Sequence, residues 1–220
     1  MKLTKFSHSC VQIAEGDRRL VIDPGVFSEV EDALAEIDAV LITHEHTDHV
    51  DVDRLAVAAQ ANPALKVWGP TSVIDHLARD ARFADLGQRL SAVGPGQSFI
   101  AGGLQVRTYG GQHAMVHSSV PVVSNVSYLI GDAIYHPGDS YTVPNAIVEA
   151  LLVPSSAPWA KMAETYEFMI SVRAPRAFQV HDALLSPTGT KVYEAHFDRI
   201  RDLYGTTVFQ HLDVRESVTL

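Results

Sequence analysis

The residues with the clearest potential for chemistry lie in one short stretch of the chain. Residues 40–49 read Val-Leu-Ile-Thr-His-Glu-His-Thr-Asp-His. In an extended segment, side chains two positions apart point to the same side, so His44 and His46 are expected to face one point. Asp48 and His49 follow on a predicted turn into a helix and can face a neighbouring point. Imidazole and carboxylate groups suit zinc and similar divalent ions, so the spacing predicts a metal site rather than a fortuitous polar loop.

Short apolar runs bounded by turn residues predict the strands that must carry this site. There are ten such runs: Lys2–Phe6, Val11–Ala14, Arg19–Asp23, Ala39–Thr43, Leu104–Tyr109, Val126–Ile130, Ala133–His136, Ala150–Val153, Ala177–Val180 and Thr207–His211. Two strand-rich halves, each closed by helices, favour two sheets packed face to face with helices outside. Periodicity alone leaves a βαβ arrangement open.

Helical periodicity predicts four helices, at Asp51–Gln60, Ser72–Arg79, Ala160–Ser171 and Thr188–Tyr204. Gly205 is a natural stop for the last of them. The inward face is expected to carry Trp159, Ala163, Tyr166 and Ile170 in the third helix, and Val192, Ala195, Ile200 and Leu203 in the fourth.

Length and composition are typical of one globular domain spanning residues 1–220. The single cysteine, Cys10, excludes an internal disulfide framework. No apolar signal-peptide core or membrane-length apolar run is seen, so we expect a cytoplasmic protein that does not bind a membrane. The formal net charge of −9 argues against nucleic acid as a partner, since nucleic-acid binders normally carry a basic surface.

The run His-x-His-x-Asp-His resembles the signature of the metallo-β-lactamase superfamily, and Val21–Gly25 is similar to the strand and turn that precede it there. The short chain and the His8-Ser9-Cys10 opening resemble the small branch of lactonase-like and uncharacterised metal-dependent hydrolases, which includes the ascorbate-6-phosphate lactonases. The resemblance extends from about residue 3 to residue 211. It implies an α/β (α+β) fold, specifically a four-layer αββα sandwich.

The resemblance also implies a complete set of metal ligands. The family pattern asks for a histidine on a later loop, an aspartate at a strand end and a final histidine, and His113, Asp139 and His181 stand at matching places. Two divalent ions are then expected, with zinc favoured and manganese, iron or nickel as alternatives. One ion would be bound by His44, His46 and His113, the other by Asp48, His49 and His181, and Asp139 would bridge them. His117, four residues after His113, is the competing candidate for the third histidine.

Three residues are expected to support the ligands without binding metal. Asp23 is predicted to orient the histidine-rich loop through hydrogen bonds. His8 lies near the site in the resembling branch, so it is a candidate for the layer behind the ligands, although a purely structural role is equally open. His117 is a candidate for that layer or for the substrate pocket, against an exposed loop histidine.

The remaining polar candidates have narrower roles. Asp48 is a candidate proton acceptor when it is not fully engaged by metal. Tyr141, directly after Asp139 and Ser140, could donate a hydrogen bond to a substrate oxyanion, against packing under the loop. His136 is expected to be structural, and Trp159 is expected to be a core anchor.

The function implied by the resemblance is hydrolysis, in which a metal-bound hydroxide attacks a small ester, lactone or related electrophile. Two other interpretations stay open. One is a phosphodiesterase acting on a small phosphorylated substrate, and the other is a non-catalytic, metal-stabilised binding module. The expected partner is a small-molecule substrate, and a homo-oligomer is compatible with the sequence.

Overall fold

Two seven-stranded sheets form the centre of the molecule in the computed structural model, which describes residues 1–220. The first sheet contains β1 (Lys2–Lys5), β2 (Val11–Glu15), β3 (Arg18–Ile22), β4 (Ala39–Leu41), β5 (Lys66–Gly69), β6 (Leu90–Ala92) and β14 (Ser217–Thr219). The second contains β7 (Ser98–Ala101), β8 (Leu104–Gly110), β9 (Val126–Ile130), β10 (Ile134–His136), β11 (Ala150–Pro154), β12 (Arg176–Val180) and β13 (Val208–Phe209). The strand orders are β14-β1-β2-β3-β4-β5-β6 and β13-β12-β11-β10-β9-β8-β7.

Helices cover the outer face of each sheet. The helices are α1 (Val30–Ala33), α2 (Val52–Ala61), α3 (Thr71–Arg79), α4 (Met162–Val172) and α5 (Pro187–Tyr204), with a 3-10 helix at Ala81–Arg89. Side chains along a strand alternate between faces, and β3 follows this rule. Leu20 and Ile22 enter the core between the sheets, while Val21 packs under the helices of the first sheet. A third core, including Leu151 and Val153, lies under α4 and α5. Three cores between four layers confirm the αββα sandwich.

Strand direction gathers the functional loops at one edge of the sandwich. β3, β4, β5 and β6 are parallel, and so are β10, β11, β12 and β13. β1 pairs antiparallel with β2, which pairs antiparallel with β3, so β1 runs in the same direction as β3; β8 runs in the same direction as β10 for the same reason. The loops after β1, β3, β4, β8, β10, β11 and β12 therefore emerge at carboxyl ends of strands, where open α/β sheets place ligand sites.

The predicted inward faces of the last two helices are only partly correct: Ile200 is buried, and Tyr166 and Ile170 are half-buried against the core. In α4 the buried side chains are Thr165, Phe168, Met169 and Val172. The predicted face was counted from Trp159, which lies in a turn before the helix, so the phase of the helix was shifted. In α5 the buried side chains are Phe197 and Ile200, whereas Val192 and Leu203 are exposed.

Four strands escaped the sequence prediction: β5, β6, β7 and β14. They are three or four residues long, and three of them, β6, β7 and β14, have exposed or half-buried positions that weaken the apolar pattern. None of the helices is both long and apolar enough to cross a membrane.

Candidate metal centre

Each predicted ligand lies on a loop at the shared edge of the two sheets. His44, His46, Asp48 and His49 occupy the loop between β4 and α2, and this loop ends at Asp51. The Asp51 side chain accepts a hydrogen bond from the backbone N–H of Arg54 at 3.0 Å, which caps α2 and ends the loop. The second sheet supplies the other ligands, with His113 after β8, Asp139 after β10 and His181 after β12.

Four side chains form the first ligand group: His44, His46, His113 and Asp139. His44 Nε2 and His46 Nδ1 lie 3.0 Å apart, and His113 Nε2 lies 3.2 Å from Asp139 Oδ2. His44 and His113 are buried, whereas His46 is exposed and lies at the mouth of the site. The group joins two residues of the β4 loop to two residues from the second sheet.

The second ligand group contains His8, Asp48, His49 and His181. Asp48 Oδ2 lies 3.1 Å from His8 Nε2, 3.8 Å from His49 Nε2 and 3.7 Å from His181 Nε2. These four residues include the three that the family pattern assigns to the second ion. His8 is the addition, and its contact with Asp48 places it directly beside the ligands.

Asp139 lies between the two groups. Its Oδ1 is 3.1 Å from His49 Nε2 in the second group, and its Oδ2 is 3.2 Å from His113 Nε2 in the first. Oδ2 is also 3.1 Å from His181 Nε2. A carboxylate whose oxygens contact histidines of both groups has the placement that a bridging ligand needs.

The hydrogen bonds behind the histidines leave their inner nitrogens free for metal. His113 Nδ1 contacts the Ala114 carbonyl at 2.6 Å, and His181 Nδ1 contacts the Ser156 carbonyl at 2.7 Å. A carbonyl can only accept, so Nδ1 carries the proton and the lone pair of the neutral ring is on Nε2.

The Nε2 atoms of His49, His113 and His181, together with Asp139 Oδ1, are buried and have no hydrogen-bond partner. Buried polar atoms are normally paired, and the three Nε2 atoms each lie 3.1 or 3.2 Å from an oxygen of Asp139, so the donor set fits divalent metal ions.

Asp23 organises the β4 loop from behind, as its sequence position suggests. This fully buried carboxylate accepts hydrogen bonds from the Thr43 N–H and hydroxyl, both at 2.7 Å, and contacts His49 Nδ1 at 2.7 Å. The Thr43 hydroxyl in turn lies 3.0 Å from His44 Nδ1. One aspartate thus orients a ring in each ligand group.

Two glycines allow the loops to come this close. A Cβ at Gly25 would lie 1.8 Å from the Asp48 carbonyl oxygen. Gly138 has a φ of 62°, and a Cβ there would lie 2.3 Å from Asn125 Oδ1 and 2.7 Å from Thr43 Cβ. The backbone beside Asp48 and the turn that presents Asp139 therefore both require glycine.

The electrostatics keep both carboxylates ionised. Burial would raise the pKa of Asp139, but His49 and its neighbours hold it well below its ordinary value. Burial also raises the pKa of Asp48, but the hydrogen bond from His8 and the charge of His49 lower it to about 2. Burial lowers the pKa of His44 well below its ordinary value. At neutral pH, Asp48 and Asp139 are anionic and His44 is neutral, which are the states that bind metal. Burial lowers the pKa of His49, but Asp139 and Asp23 raise it well above its ordinary value, so a metal ion bound there would displace a proton.

Other histidines of the region lie outside the ligand groups. His117 is exposed, and its Nδ1 contacts the Ser119 hydroxyl at 2.7 Å, so His113 alone of this pair reaches the cluster. His136 is fully buried with both ring nitrogens paired, to the Ser9 carbonyl at 2.9 Å and to the Gly138 N–H at 3.0 Å. It ties the loop after β1 to the turn before Asp139.

Tyr141 is directed away from the ligands. Its hydroxyl lies 2.6 Å from Thr165 Oγ1 on α4, and its ring packs against Trp159 and Phe168. In this conformation the Tyr141 hydroxyl contacts α4. The structure therefore does not bring this hydroxyl, the predicted oxyanion donor, to the ligand groups.

Trp159 is the contact that sequence reasoning missed. Its indole N–H donates to Asp139 Oδ2 at 3.0 Å, and its ring touches His113 and His181. The sequence alone suggested a core anchor, and the residue is indeed buried. The signal that could have found it is its place on the loop after β11, a loop that opens at the same edge as the ligands.

Comparisons with known proteins agree with this geometry. The family model described as the Beta-lactamase superfamily domain matches residues 2–181. Protein Rv0786c of Mycobacterium tuberculosis is 36% identical over 224 residues, which cover 100% of both chains. A UPF0173 metal-dependent hydrolase of Aeropyrum pernix is 27% identical over 151 residues, which cover 63% of this chain and 61% of that one. Among solved structures, Igni18, a metallo hydrolase from Ignicoccus hospitalis, has a TM-score of 0.71 at 18% identity and covers 100% of this chain and 97% of its own.

The chain therefore belongs to the metallo-β-lactamase superfamily, as the histidine-rich motif predicted. Relatives that match parts of this chain include proteins named as metal-dependent hydrolases, and the chain itself carries two candidate metal-binding groups.

Proposed function

We propose that the protein binds two divalent metal ions, zinc foremost, and hydrolyses a small uncharged ester or lactone. The observation that supports this proposal best is the pair of ligand groups that share Asp139 between them. His44, His46 and His113 would hold one ion, and Asp48, His49 and His181 the other. Bound at such a site, metal ions lower the pKa of water to near neutrality and polarise a carbonyl oxygen.

The residues of the chain contribute orientation, charge and access. Asp23 fixes the rings of His49 and His44, and His8 holds one oxygen of Asp48 at 3.1 Å. Asp48 is part-exposed and ionised, so it is also the carboxylate best placed to take a proton near the mouth of the site. Since His46 and Asp48 are the most exposed ligands, substrate is expected to approach from their side.

The charge of the surrounding loops supports an uncharged substrate. The loops at the site edge are residues 6–10, 23–29, 43–51, 111–125, 137–149, 155–161 and 181–186, and Lys161 is their only lysine or arginine. Its Nζ lies 3.4 Å from a Glu164 carboxylate oxygen. Lys5, at the end of β1, is buried and paired with Asp182 at 3.0 Å. Apart from the proposed metal ions, these loops offer no unpaired lysine or arginine to bind a phosphate or carboxylate group, which favours an uncharged substrate.

Apolar exposure at the same edge supports an apolar substituent on the substrate. Nine of the sixteen large hydrophobic side chains exposed in the whole molecule belong to these loops: Val26, Phe27, Met115, Val116, Val120, Val122, Val143, Ile147 and Leu184. Phe27 lies against His8, with ring centroids 5.3 Å apart. Clusters of exposed apolar side chains commonly line binding sites, so the loops favour acyl or alkyl groups.

The test combines metal analysis with a matched substrate panel. Protein purified without a chelating tag is analysed for metal per chain, then assayed on uncharged esters and lactones, on the same scaffolds carrying a phosphate or carboxylate, and on small phosphodiesters. Turnover of the uncharged members, lost in His46→Ala and retained in His117→Ala, is the expected result. Turnover confined to phosphodiesters would replace the ester proposal with phosphodiester hydrolysis. Two bound ions without turnover of any member would support a binding module instead.

A further inference from the structure

The loop between β11 and α4 supplies a contact to the carboxylate between the two ligand groups. The Trp159 indole N–H lies 3.0 Å from Asp139 Oδ2, and Trp159 is 7% exposed. An indole nitrogen can only donate, and a buried donor needs an acceptor. The acceptor here is the side chain that the proposed metal centre uses as its bridge.

Packing fixes the indole in this position. The Trp159 ring lies edge-on to His113 at 5.9 Å, to His181 at 6.1 Å and to Tyr141 at 5.2 Å between centroids. His113 belongs to the first ligand group and His181 to the second. Tyr141 is itself held by its hydroxyl contact with Thr165 on α4. The indole therefore touches both groups and is backed by a helix.

The contact distinguishes the two oxygens of Asp139. Oδ1 faces His49 and has no hydrogen-bond partner, while Oδ2 receives the indole N–H. The main chain of the same residue is fixed separately, because its N–H donates to Asn125 Oδ1 at 3.0 Å. Without the indole contact, the carboxylate could rotate about its χ angles towards either group alone.

We infer that Trp159 is a positioning residue, whose indole N–H holds Asp139 across the two ligand groups so that two ions are retained together. This inference rests on the proposed function for the metal centre but concerns metal binding, not substrate. Partners of metal-binding carboxylates commonly contribute about 10–100-fold to metal affinity.

The experiment removes the indole N–H of Trp159 and keeps the size and shape of its ring. Trp68 and Trp159 are the only tryptophans of the chain, and Trp68 stacks on Phe99 in the core between the sheets. A Trp68→Phe background therefore allows 3-benzothienylalanine, an isostere that lacks the N–H, to be incorporated at position 159 alone. Trp159→Phe is the second variant, and Trp68→Phe by itself is the matched control.

Zinc affinity and stoichiometry are measured by competition with a chromophoric chelator. We expect the benzothienyl variant and Trp159→Phe to bind zinc about 10–100-fold more weakly than the Trp68→Phe control, with loss of one ion first. In the control protein labelled with 15N-tryptophan, the single indole N–H resonance should shift when Asp139→Asn is added.

The outcomes separate this inference from the proposed function. If the control binds two ions and the benzothienyl variant binds them equally well, the indole serves packing only and the inference fails alone. If the control binds no metal even after reconstitution, the proposed function fails and the inference fails with it. The isostere keeps the test decisive even where Trp159→Phe does not fold.

Discussion

Unusual backbone conformations are concentrated at the metal centre. Seven non-glycine residues have positive φ, and the three that are buried are His8, Asp23 and His181. Each such conformation costs about 1–3 kcal/mol and persists where its surroundings fix it. The His181 N–H donates to the His8 carbonyl at 3.0 Å, so two of the three stabilise each other. The strained backbone conformations therefore occur at residues that face or support the proposed ions.

Asp23 is expected to control metal affinity without contacting metal. Asparagine tolerates its φ of 52°, so Asp23→Asn preserves the backbone but provides one acceptor oxygen where three donors now meet. We expect metal affinity to fall about 10–100-fold, measured by chelator competition. Asp17→Asn, in the exposed turn after β2, is the control and should bind metal like the parent. If Asp23→Asn binds metal as tightly as the parent protein, the negative charge of Asp23 behind His49 is not needed for metal affinity.

The two histidines that compete for the third ligand position, His113 and His117, can be separated directly. His113 lies in the first ligand group, whereas the His117 ring is hydrogen-bonded to the Ser119 side chain and backbone. We expect His113→Ala to lose at least one of two ions per chain, measured by elemental analysis, because a ligand is removed. His117→Ala should retain both. Metal loss in His117→Ala with retention in His113→Ala would reverse the assignment.

The strands that carry the site residues could be predicted from the sequence, whereas strands far from the site were predicted less well. The β4 run and the following His-x-His-x-Asp-His motif are continuous in sequence, so local periodicity was sufficient to place them. His113, Asp139 and His181 were placed through the family resemblance, because their convergence depends on strand direction in a sheet that spacing does not reveal. The contacts of Trp159 with Asp139 and of His8 with Asp48 were not predicted for the same reason, since they join residues 20 and 40 positions apart in the chain.

The face that α5 presents to the second sheet can be tested by stability. Phe197 is fully buried in the core under α5, whereas Leu203 is 70% exposed. We expect Phe197→Ala to lower the free energy of unfolding by about 3–5 kcal/mol, because a buried aromatic ring leaves a cavity. Leu203→Ala should change it by less than about 0.5 kcal/mol. Denaturant unfolding of both variants measures this, and a larger loss in Leu203→Ala would restore the helix phase favoured by the sequence.

At the scale of the whole molecule, the metal centre joins the two sheets. The first ligand group takes His44 and His46 from the loop after β4, and His113 and Asp139 from loops of the second sheet. The second group likewise combines residues of the β4 loop with His181 after β12. Ions bound there therefore add contacts between two layers that are otherwise held by the apolar core between the sheets.

Metal removal should consequently destabilise the whole sandwich. A ligand that binds only the folded state stabilises it by about 4 kcal/mol when present at 1,000 times its Kd. For a chain of this size each kcal/mol moves Tm by about 2–4 °C, so stripping the ions with a chelator should lower Tm by roughly 8–16 °C. Calorimetry of the parent and of His46→Ala, each with and without chelator, measures the effect, and the shift should be smaller in the variant. An identical Tm for loaded and stripped parent would mean that the two sheets are held by their apolar core alone and that the ions serve chemistry without supporting the fold.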